Sequence, residues 1–417
     1  MQSENVQPCR TEPQARESRV ARGSLWRRGG EFGALDGIRA LAAILIVVFH
    51  CVAWVELVNP RLNRIWPLGW VQEFAAGCWI GVDVFFLLSG FLIGRILLEQ
   101  FKMGRVSLRA FYVRRVFRIF PAYYLVLTLS IVGLVHCHSL APIYGSASWR
   151  VILARSPANY LYLGNYLFGG RVQNAMSWSW SLCIEEHFYL LLPPLLVVLF
   201  RYRRASQRWL FLAAFSFLPL LARAAAYVRN PTITVLNELY YRSHTHADGL
   251  FLGVLIAYFH VFHRDAFRRL AARVGAALPV MGGALIASVY WKGGPLRLGA
   301  FAVVLQFAVL AVGTGLFVIN GLYLTNLTTR FLAWWGWRPI ARLSYGIYLV
   351  HVFVVFAVRA WWPGGQDRLL TSLPDLVLFV LVVTGLSTGA AGMMFFAIEG
   401  RLLRVGARLS HRYIVES

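Results

Sequence analysis

The sequence predicts an all-α, polytopic membrane protein with about ten transmembrane helices around a polar interior. Of its 417 residues, 58% are hydrophobic and only 14% are charged, and the mean hydropathy is +0.59. A water-soluble domain carries about 25% charged residues. Apolar runs of about 20 residues, the length that crosses a bilayer core, recur along the chain. This composition excludes most soluble and disordered classes.

The apolar runs are separated by polar connections, of which 139–182 is long enough to hold re-entrant or interfacial pieces. We expect residues 1–34 to form a flexible basic cytoplasmic arm, 35–400 the membrane domain and 401–417 a short basic cytoplasmic tail, with no attached soluble catalytic domain. The ten expected spans, of which the sixth and seventh are short, lie near 38–58, 78–98, 119–138, 183–200, 209–228, 246–262, 275–291, 299–320, 343–362 and 374–398.

The strong positive charge of the chain has two interpretations. The 41 Lys and Arg residues against 18 Asp and Glu could indicate nucleic-acid binding. With the N-terminus placed inside, however, 28 of the 41 basic residues fall in the cytoplasmic loops and tails. This is the positive-inside asymmetry that orients membrane proteins. We therefore interpret the charge as topology, with both termini cytoplasmic, and expect no nucleic-acid partner.

The first span carries two polar residues on one face. Arg39 and His50 are eleven residues apart, which returns to nearly the same face about 16 Å along the helix axis. Ionisable groups inside a bilayer are costly and indicate a functional site by default. A cation at the entrance and an imidazole at depth suit a substrate with an anionic head and a reactive tail. The alternative is a topological anchor and an interhelical hydrogen bond.

The second span combines a carboxylate with small residues. Asp83 and Gly90 lie on one face, and Ser89, Gly90 and Gly94 allow a neighbouring helix to approach closely. Packing accounts for the glycines. Asp83 is either a functional group or a helix-start residue at the interface.

Basic side chains cluster at the cytoplasmic entry of the third span. Arg114 and Arg118 are one turn apart and form, with Arg115, a fork of guanidiniums suited to phosphate oxygens. The same residues could instead only enforce the topology.

Two adjacent carboxylates lie near the start of the fourth span. Trp178, Ser181 and Glu185 form one stripe at spacings of three and four, whereas Glu186 points elsewhere. Such carboxylates are expensive in a membrane unless one pairs with a histidine or faces a cavity.

Two later spans also carry polar stripes, which favours a hydrated or ligand-filled interior. His246 is suggestive of a metal only in isolation, and no metal-ligand spacing is present, so we expect no metal site. The stripes are Arg242, His246, Gly249 and Gly253 with Asp248 nearby in the sixth span, and Ser344, Tyr348 and His351 in the ninth.

Five short motifs resemble those of the acyltransferase 3 family, the multi-pass membrane O-acyltransferases that modify bacterial surface glycans. The resemblance covers most of 35–399. In chain order, the motifs are Arg39-x10-His50; Gly81-Val82-Asp83 with Ser89-Gly90-Phe91-Leu92-Ile93; Arg114-Arg115-x-x-Arg118-Ile119-x-Pro121-x-Tyr123; Trp180-Ser181-Leu182-x-x-Glu185-Glu186-x-Phe188-Tyr189; and Leu343-Ser344-Tyr345-Gly346-Ile347-Tyr348-Leu349-x-His351.

The resemblance implies transfer of an acyl group, usually acetyl, from cytoplasmic acyl-CoA to a sugar hydroxyl at or across the bacterial inner membrane. The partners that the resemblance implies are acetyl-CoA as the donor, a glycan or glycolipid as the acceptor, and the surrounding membrane lipid. His50 is expected to be a general base or to form an acyl-histidine, and Glu185 to orient its ring. The other class compatible with a polar interior is a transporter or a flippase of a lipid-linked sugar.

The remaining expected site residues fall into two groups. Donor binding is expected from Arg39, Arg114, Arg115, Arg118 and Tyr123, and contact with the substrate or pore from Asp83, Ser89, Trp180, Ser181, Glu186, Arg242, His246, Asp248, Tyr345 and His351.

Overall fold

The computed structural model describes residues 33–56, 68–136, 149–168, 174–233, 235, 239–292, 298–363 and 373–415. These residues form helices joined by short connections, and no strand occurs among them. The predicted arm 1–34 lies almost wholly outside the described residues. The helices are α1 Gly33–Glu56, α2 Leu68–Gly77, α3 Gly81–Lys102, α4 Leu108–His136, α5 Trp149–Tyr160, α6 Gly164–Leu167, α7 Trp180–Tyr202, α8 Ala205–Arg229, α9 Asp248–Phe262, α10 Arg264–Val274, α11 Ala277–Lys292, α12 Gln306–Tyr323, α13 Leu327–Leu332, α14 Trp337–Ala360, α15 Leu373–Met394 and α16 Gly400–Val415.

The helices confirm an all-α membrane architecture. Within the described ranges, eight helices are long and apolar enough to cross a membrane, and a ninth span results if α9 and α10, which meet at 111°, are counted together. Each of the ten predicted segments coincides with a helix, but α9 has 15 residues and α11 has 16, so both are short for a full span. The count of ten and the orientation of the termini stay predictions.

The small residues of α3 mark its contact with α9. A Cβ atom on Gly90 would lie 2.0 Å from the Leu250 carbonyl oxygen, and one on Gly253 would lie 2.4 Å from the Leu87 carbonyl oxygen. The two backbones are therefore in direct contact, which only glycine permits at these positions. This confirms the predicted close helix approach and identifies α9 as the partner.

The last helix covers the N-terminal half of α4. α15 continues through a π-helical segment, Phe395–Glu399, into the amphipathic α16. Ser107 Oγ donates to the Tyr413 carbonyl at 3.1 Å, and Gly406 packs against Phe117. The basic tail predicted for 401–417 is thus a docked helix over most of its length.

Candidate functional site

A cavity of about 340 Å³ opens among α1, α3, α4, α7 and α14. These helices contribute residues from all five sequence motifs to one space. Most of its apolar lining comes from α3 and α4, whereas its polar groups come from all five helices. The cavity therefore lies among membrane-spanning helices and presents charged groups beside an apolar lining.

Four arginines line this cavity. Arg39 of α1 and Arg115 and Arg118 of α4 were expected there, and Arg342 of α14 joins them. Arg342 was not among the expected site residues. The signal that could have identified it is its spacing of three residues from Tyr345, which places both on one face of α14.

Carboxylates lie near the arginine cluster. Glu185 and Glu186 line the same cavity, and both are within electrostatic range of Arg115. At the other arginines, Asp36 lies close to Arg39, and Glu399 close to Arg118. Opposite charges at short range offset the cost of holding these ions in a membrane.

Glu185 has two neighbouring hydroxyl groups. Tyr189, one turn further along α7, donates to Glu185 Oε2 at 2.5 Å, and the Ser89 hydroxyl of α3 lies near the same carboxylate. The Arg115 guanidinium lies 4.8 Å from the centre of the Tyr189 ring. Tyr189 belongs to the quoted motif but was not among the expected site residues, although its spacing of four from Glu185 indicated the contact.

His50 contacts a second histidine rather than a carboxylate. His50 Nδ1 lies 3.2 Å from His351 Nε2, and the two ring centres are 4.8 Å apart. Glu185 was expected to orient the His50 ring, but its described hydrogen bond is with Tyr189. The reason is geometric, since α14 rather than α7 packs directly along α1 at this depth.

The histidine pair lies next to the cavity. Ile46 and Tyr348, which precede His50 and His351 by one helical turn, both line it. The Tyr348 hydroxyl contacts Ser181 Oγ at 2.7 Å and donates to the Trp178 carbonyl, so α14 is tied to the start of α7. The cavity therefore runs from the arginines toward the turn that carries the imidazoles.

Three of the expected donor or substrate residues face elsewhere. Arg114 is exposed and donates to Ser410 Oγ of α16 at 2.8 Å. Tyr123 is buried and donates to the Asn159 carbonyl at 3.0 Å, where it holds α5. Arg242 precedes α9 and is not part of the cavity lining. Tyr345 does line the cavity, and its hydroxyl donates to the Ile119 carbonyl at 2.8 Å.

Asp83, Trp180, His246 and Asp248 belong to a second buried cluster. His246 Nε2 lies 2.9 Å from Asp83 Oδ1, and its ring stacks on Trp180 with centres 5.7 Å apart. Each of these four side chains is at most 9% exposed. These residues were expected to contact substrate or a pore, and the structure instead packs them among protein groups.

The charge of Asp248 is balanced by Arg223, a residue that was not among the expected site residues. Arg223 is 0% exposed and binds both Asp248 oxygens at 2.7 and 2.8 Å. It also donates to the carbonyls of Thr245 and Val304. Val304 lies in the π-helical segment Phe301–Leu305 before α12, where the altered hydrogen-bonding pattern leaves carbonyls available. The contacts of Arg223 therefore join α8, α9 and the π-helical segment before α12.

In the part of the chain that the structure describes, no three His, Cys, Asp or Glu side chains are placed to hold a metal ion.

Comparison with known proteins agrees with the five motifs. A peptidoglycan O-acetyltransferase of Listeria monocytogenes, named OatA, is 26% identical over 346 residues, which cover 77% of this chain and 49% of the relative. The O-acetyltransferase OatA of Staphylococcus aureus is 24% identical over 366 residues, 84% of this chain and 54% of the relative. The chain thus spans about half the length of the curated relatives that it matches.

No solved structure matches the chain significantly. The sequence model of the acyltransferase domain, in contrast, matches residues 32–392 and so includes every residue of the cavity described above. On this evidence the chain belongs to the acyltransferase 3 family.

Proposed function

We propose that this protein transfers an acetyl group from acetyl-CoA to a hydroxyl of a cell-wall glycan. The single observation that carries the proposal is the cavity in which four arginines and two carboxylates meet beside the His50–His351 pair. Peptidoglycan is the acceptor in the printed name of the Listeria monocytogenes relative, and we extend it to this chain as the acceptor class.

The arginines are suited to the donor. Guanidinium groups bind phosphate oxygens through paired, charge-assisted hydrogen bonds. The phosphates of coenzyme A would occupy the end of the cavity formed by Arg39, Arg115, Arg118 and Arg342, and the thioester arm would extend toward Ile46 and Tyr348. When the donor leaves, Glu185 and Glu186 would partly balance the charge of Arg115, which stabilises the empty site.

The reacting group in this proposal is His50. As the acceptor oxygen attacks the thioester carbonyl carbon, His50 takes the hydroxyl proton, the carbon–sulfur bond breaks, and the thiolate of coenzyme A is protonated by the imidazolium. An imidazole is well matched to this role near neutral pH. A route through an acyl-histidine, in which His50 itself attacks the thioester, uses the same residue.

A transporter or lipid-linked-sugar flippase remains the alternative class. No contact among the described residues favours it over group transfer, and membership of an acyltransferase family favours the enzyme.

The proposal is tested with the purified protein in lipid nanodiscs, acetyl-CoA and soluble peptidoglycan fragments. We expect free thiol to be released in step with acetylated muropeptides, measured with a thiol reagent and by mass spectrometry. Wild-type protein that binds acetyl-CoA but neither releases thiol nor acetylates the fragments contradicts the proposed activity.

Arg115→Gln tests the donor site within the same assay. Losing a charge-assisted hydrogen bond costs about 1.5–3 kcal/mol, which corresponds to a roughly 10- to 100-fold higher KM for acetyl-CoA. The matched control is Arg109→Gln on the same helix, because Arg109 is exposed and stacks on Tyr413 of α16. Equal KM values for the two variants would exclude Arg115 from donor binding.

A further inference from the structure

The contact between His50 and His351 indicates which nitrogen of each ring is protonated. His351 is 0% exposed, whereas His50 is only half-buried. Neither ring lines the cavity, although the preceding turn of each helix does. His351 was expected to contact the substrate or pore, and its complete burial behind His50 points to a different role.

The proton of His351 is assigned by two backbone carbonyls. Its Nδ1 lies 2.7 Å from the Tyr348 carbonyl oxygen and 3.2 Å from that of Ile347. A carbonyl oxygen only accepts hydrogen bonds, so Nδ1 carries the proton and donates. In a neutral imidazole, Nε2 is then unprotonated, and this is the atom that faces His50.

The proton of His50 follows from this assignment and from a third carbonyl. His50 Nδ1 lies 2.9 Å from the Ile46 carbonyl oxygen and 3.2 Å from His351 Nε2. Both neighbours accept, so His50 Nδ1 also carries the proton. The lone pair of the neutral ring is consequently on His50 Nε2.

We propose that His351 is a positioning residue, which holds His50 in the tautomer whose Nε2 is the free base. The proposal rests on the function proposed above. When His50 takes up a proton at Nε2, the Nδ1–H donor becomes part of an imidazolium, and its hydrogen bond to His351 strengthens. His351 thus stabilises the charged form without reacting itself.

A neutral acceptor is advantageous at this place in the chain. The acidic residue of a Ser-His-Asp triad performs the same orienting task with a full negative charge. An additional carboxylate beside His50 would have to be held inside a membrane span, where ionised groups are costly. An imidazole with its proton directed to backbone carbonyls supplies the acceptor at no net charge.

The first test measures the tautomer without catalysis. Wild-type protein with 15N-labelled histidine in lipid nanodiscs is examined by solid-state NMR, with His50→Gln identifying the His50 signals. We expect a protonated Nδ1 and an unprotonated Nε2 on His50. A protonated Nε2 overturns the proposal, whether or not the protein transfers acetyl groups.

The second test separates positioning from packing by kinetics. His351→Leu removes the acceptor at similar volume, and His351→Gln keeps an acceptor oxygen close to the position of Nε2. We expect kcat of His351→Leu to fall about 100-fold, the lower end of general-base effects, with the KM for acetyl-CoA changed less than threefold. The kcat of His351→Gln should be at least tenfold higher than that of His351→Leu. Melting temperatures identify variants that fail to fold.

The outcomes distinguish this inference from the proposed function. Equal kcat values for folded His351→Leu and His351→Gln, or a kcat of His351→Leu within threefold of wild type, overturn the positioning role. An active His50→Ala variant instead overturns the role of His50 as the base, while the NMR result still reports on the pair.

Discussion

Replacing Arg223 with methionine should destabilise the fold by about 3–5 kcal/mol while leaving the donor cavity intact. Arg223 is fully buried and its guanidinium donates to both oxygens of Asp248 and to two carbonyls. Methionine retains most of the side-chain volume but removes every one of these donors. The variant therefore isolates the contribution of the ion pair and hydrogen bonds of Arg223 to stability.

The expected loss of stability follows from the buried Asp248 carboxylate that remains in the variant. Without Arg223, the Asp248 carboxylate, which is 3% exposed, stays buried without its ion-pair partner. Removing one member of a buried pair costs about 3–5 kcal/mol because the remaining charge is uncompensated. In the double variant Arg223→Met/Asp248→Leu, no charge remains. Only the carbonyls of Thr245 and Val304 lose a donor, at about 1 kcal/mol each.

Equilibrium unfolding in mixed detergent micelles measures these free energies for the wild type, both single variants and the double variant. The double variant should be more stable than Arg223→Met, although it carries one more substitution. All folded variants should keep the wild-type KM for acetyl-CoA, because the pair is not part of the cavity lining. A single variant within about 1 kcal/mol of wild type, or a double variant less stable than either single one, would refute this reasoning.

Two further substitutions test the helix contact and the carboxylate. Gly90→Ala should lower the melting temperature by several degrees, because its Cβ would meet the Leu250 carbonyl oxygen at 2.0 Å. The control Gly283→Ala should leave the melting temperature unchanged, because no atom lies within 4 Å of the added Cβ. Equal melting temperatures for the two variants would contradict the close contact. Tyr189→Phe removes the 2.5 Å hydrogen bond to Glu185 and should reduce kcat/KM about 10-fold at nearly unchanged melting temperature. Unaltered kinetics would mean that Glu185 needs no such support.

Helical periodicity predicted those parts of the site that lie on one helix or near one end of it. Two details of the prediction were wrong, since Arg114 of the expected fork contacts α16 and Glu186, expected to point elsewhere, lines the cavity. Arg118 does line the cavity from that fork, and Glu185 does so from the predicted stripe on α7. These relations depend only on the 100° step between consecutive residues of a helix. The same argument placed Arg39 and His50 on one face of α1, and the cavity extends from Arg39 to Ile46 along that face.

Contacts between helices could not be obtained in this way. His50 and His351 are 301 positions apart, and their contact depends on how α14 docks against α1. The Asp83–His246 pair, 163 positions apart, likewise depends on the glycine contact between α3 and α9. A single sequence shows which faces are polar, whereas the register between two faces is set by packing across the whole bundle.

The role of each intramembrane arginine depends on the groups around its guanidinium rather than on its depth in the membrane. Arg223 directs its donors to Asp248 and to backbone carbonyls and is 0% exposed, so no ligand can reach it. Arg39, Arg115 and Arg342 face an open cavity instead. A cation that is enclosed by protein acceptors stabilises the fold, whereas one that borders a cavity can be reached by an anion. The sequence singled out Arg39 and Arg115 as candidate donor-binding residues, but neither Arg223 nor Arg342. The difference in their surroundings is what assigns Arg223 to the fold and the others to the proposed donor site.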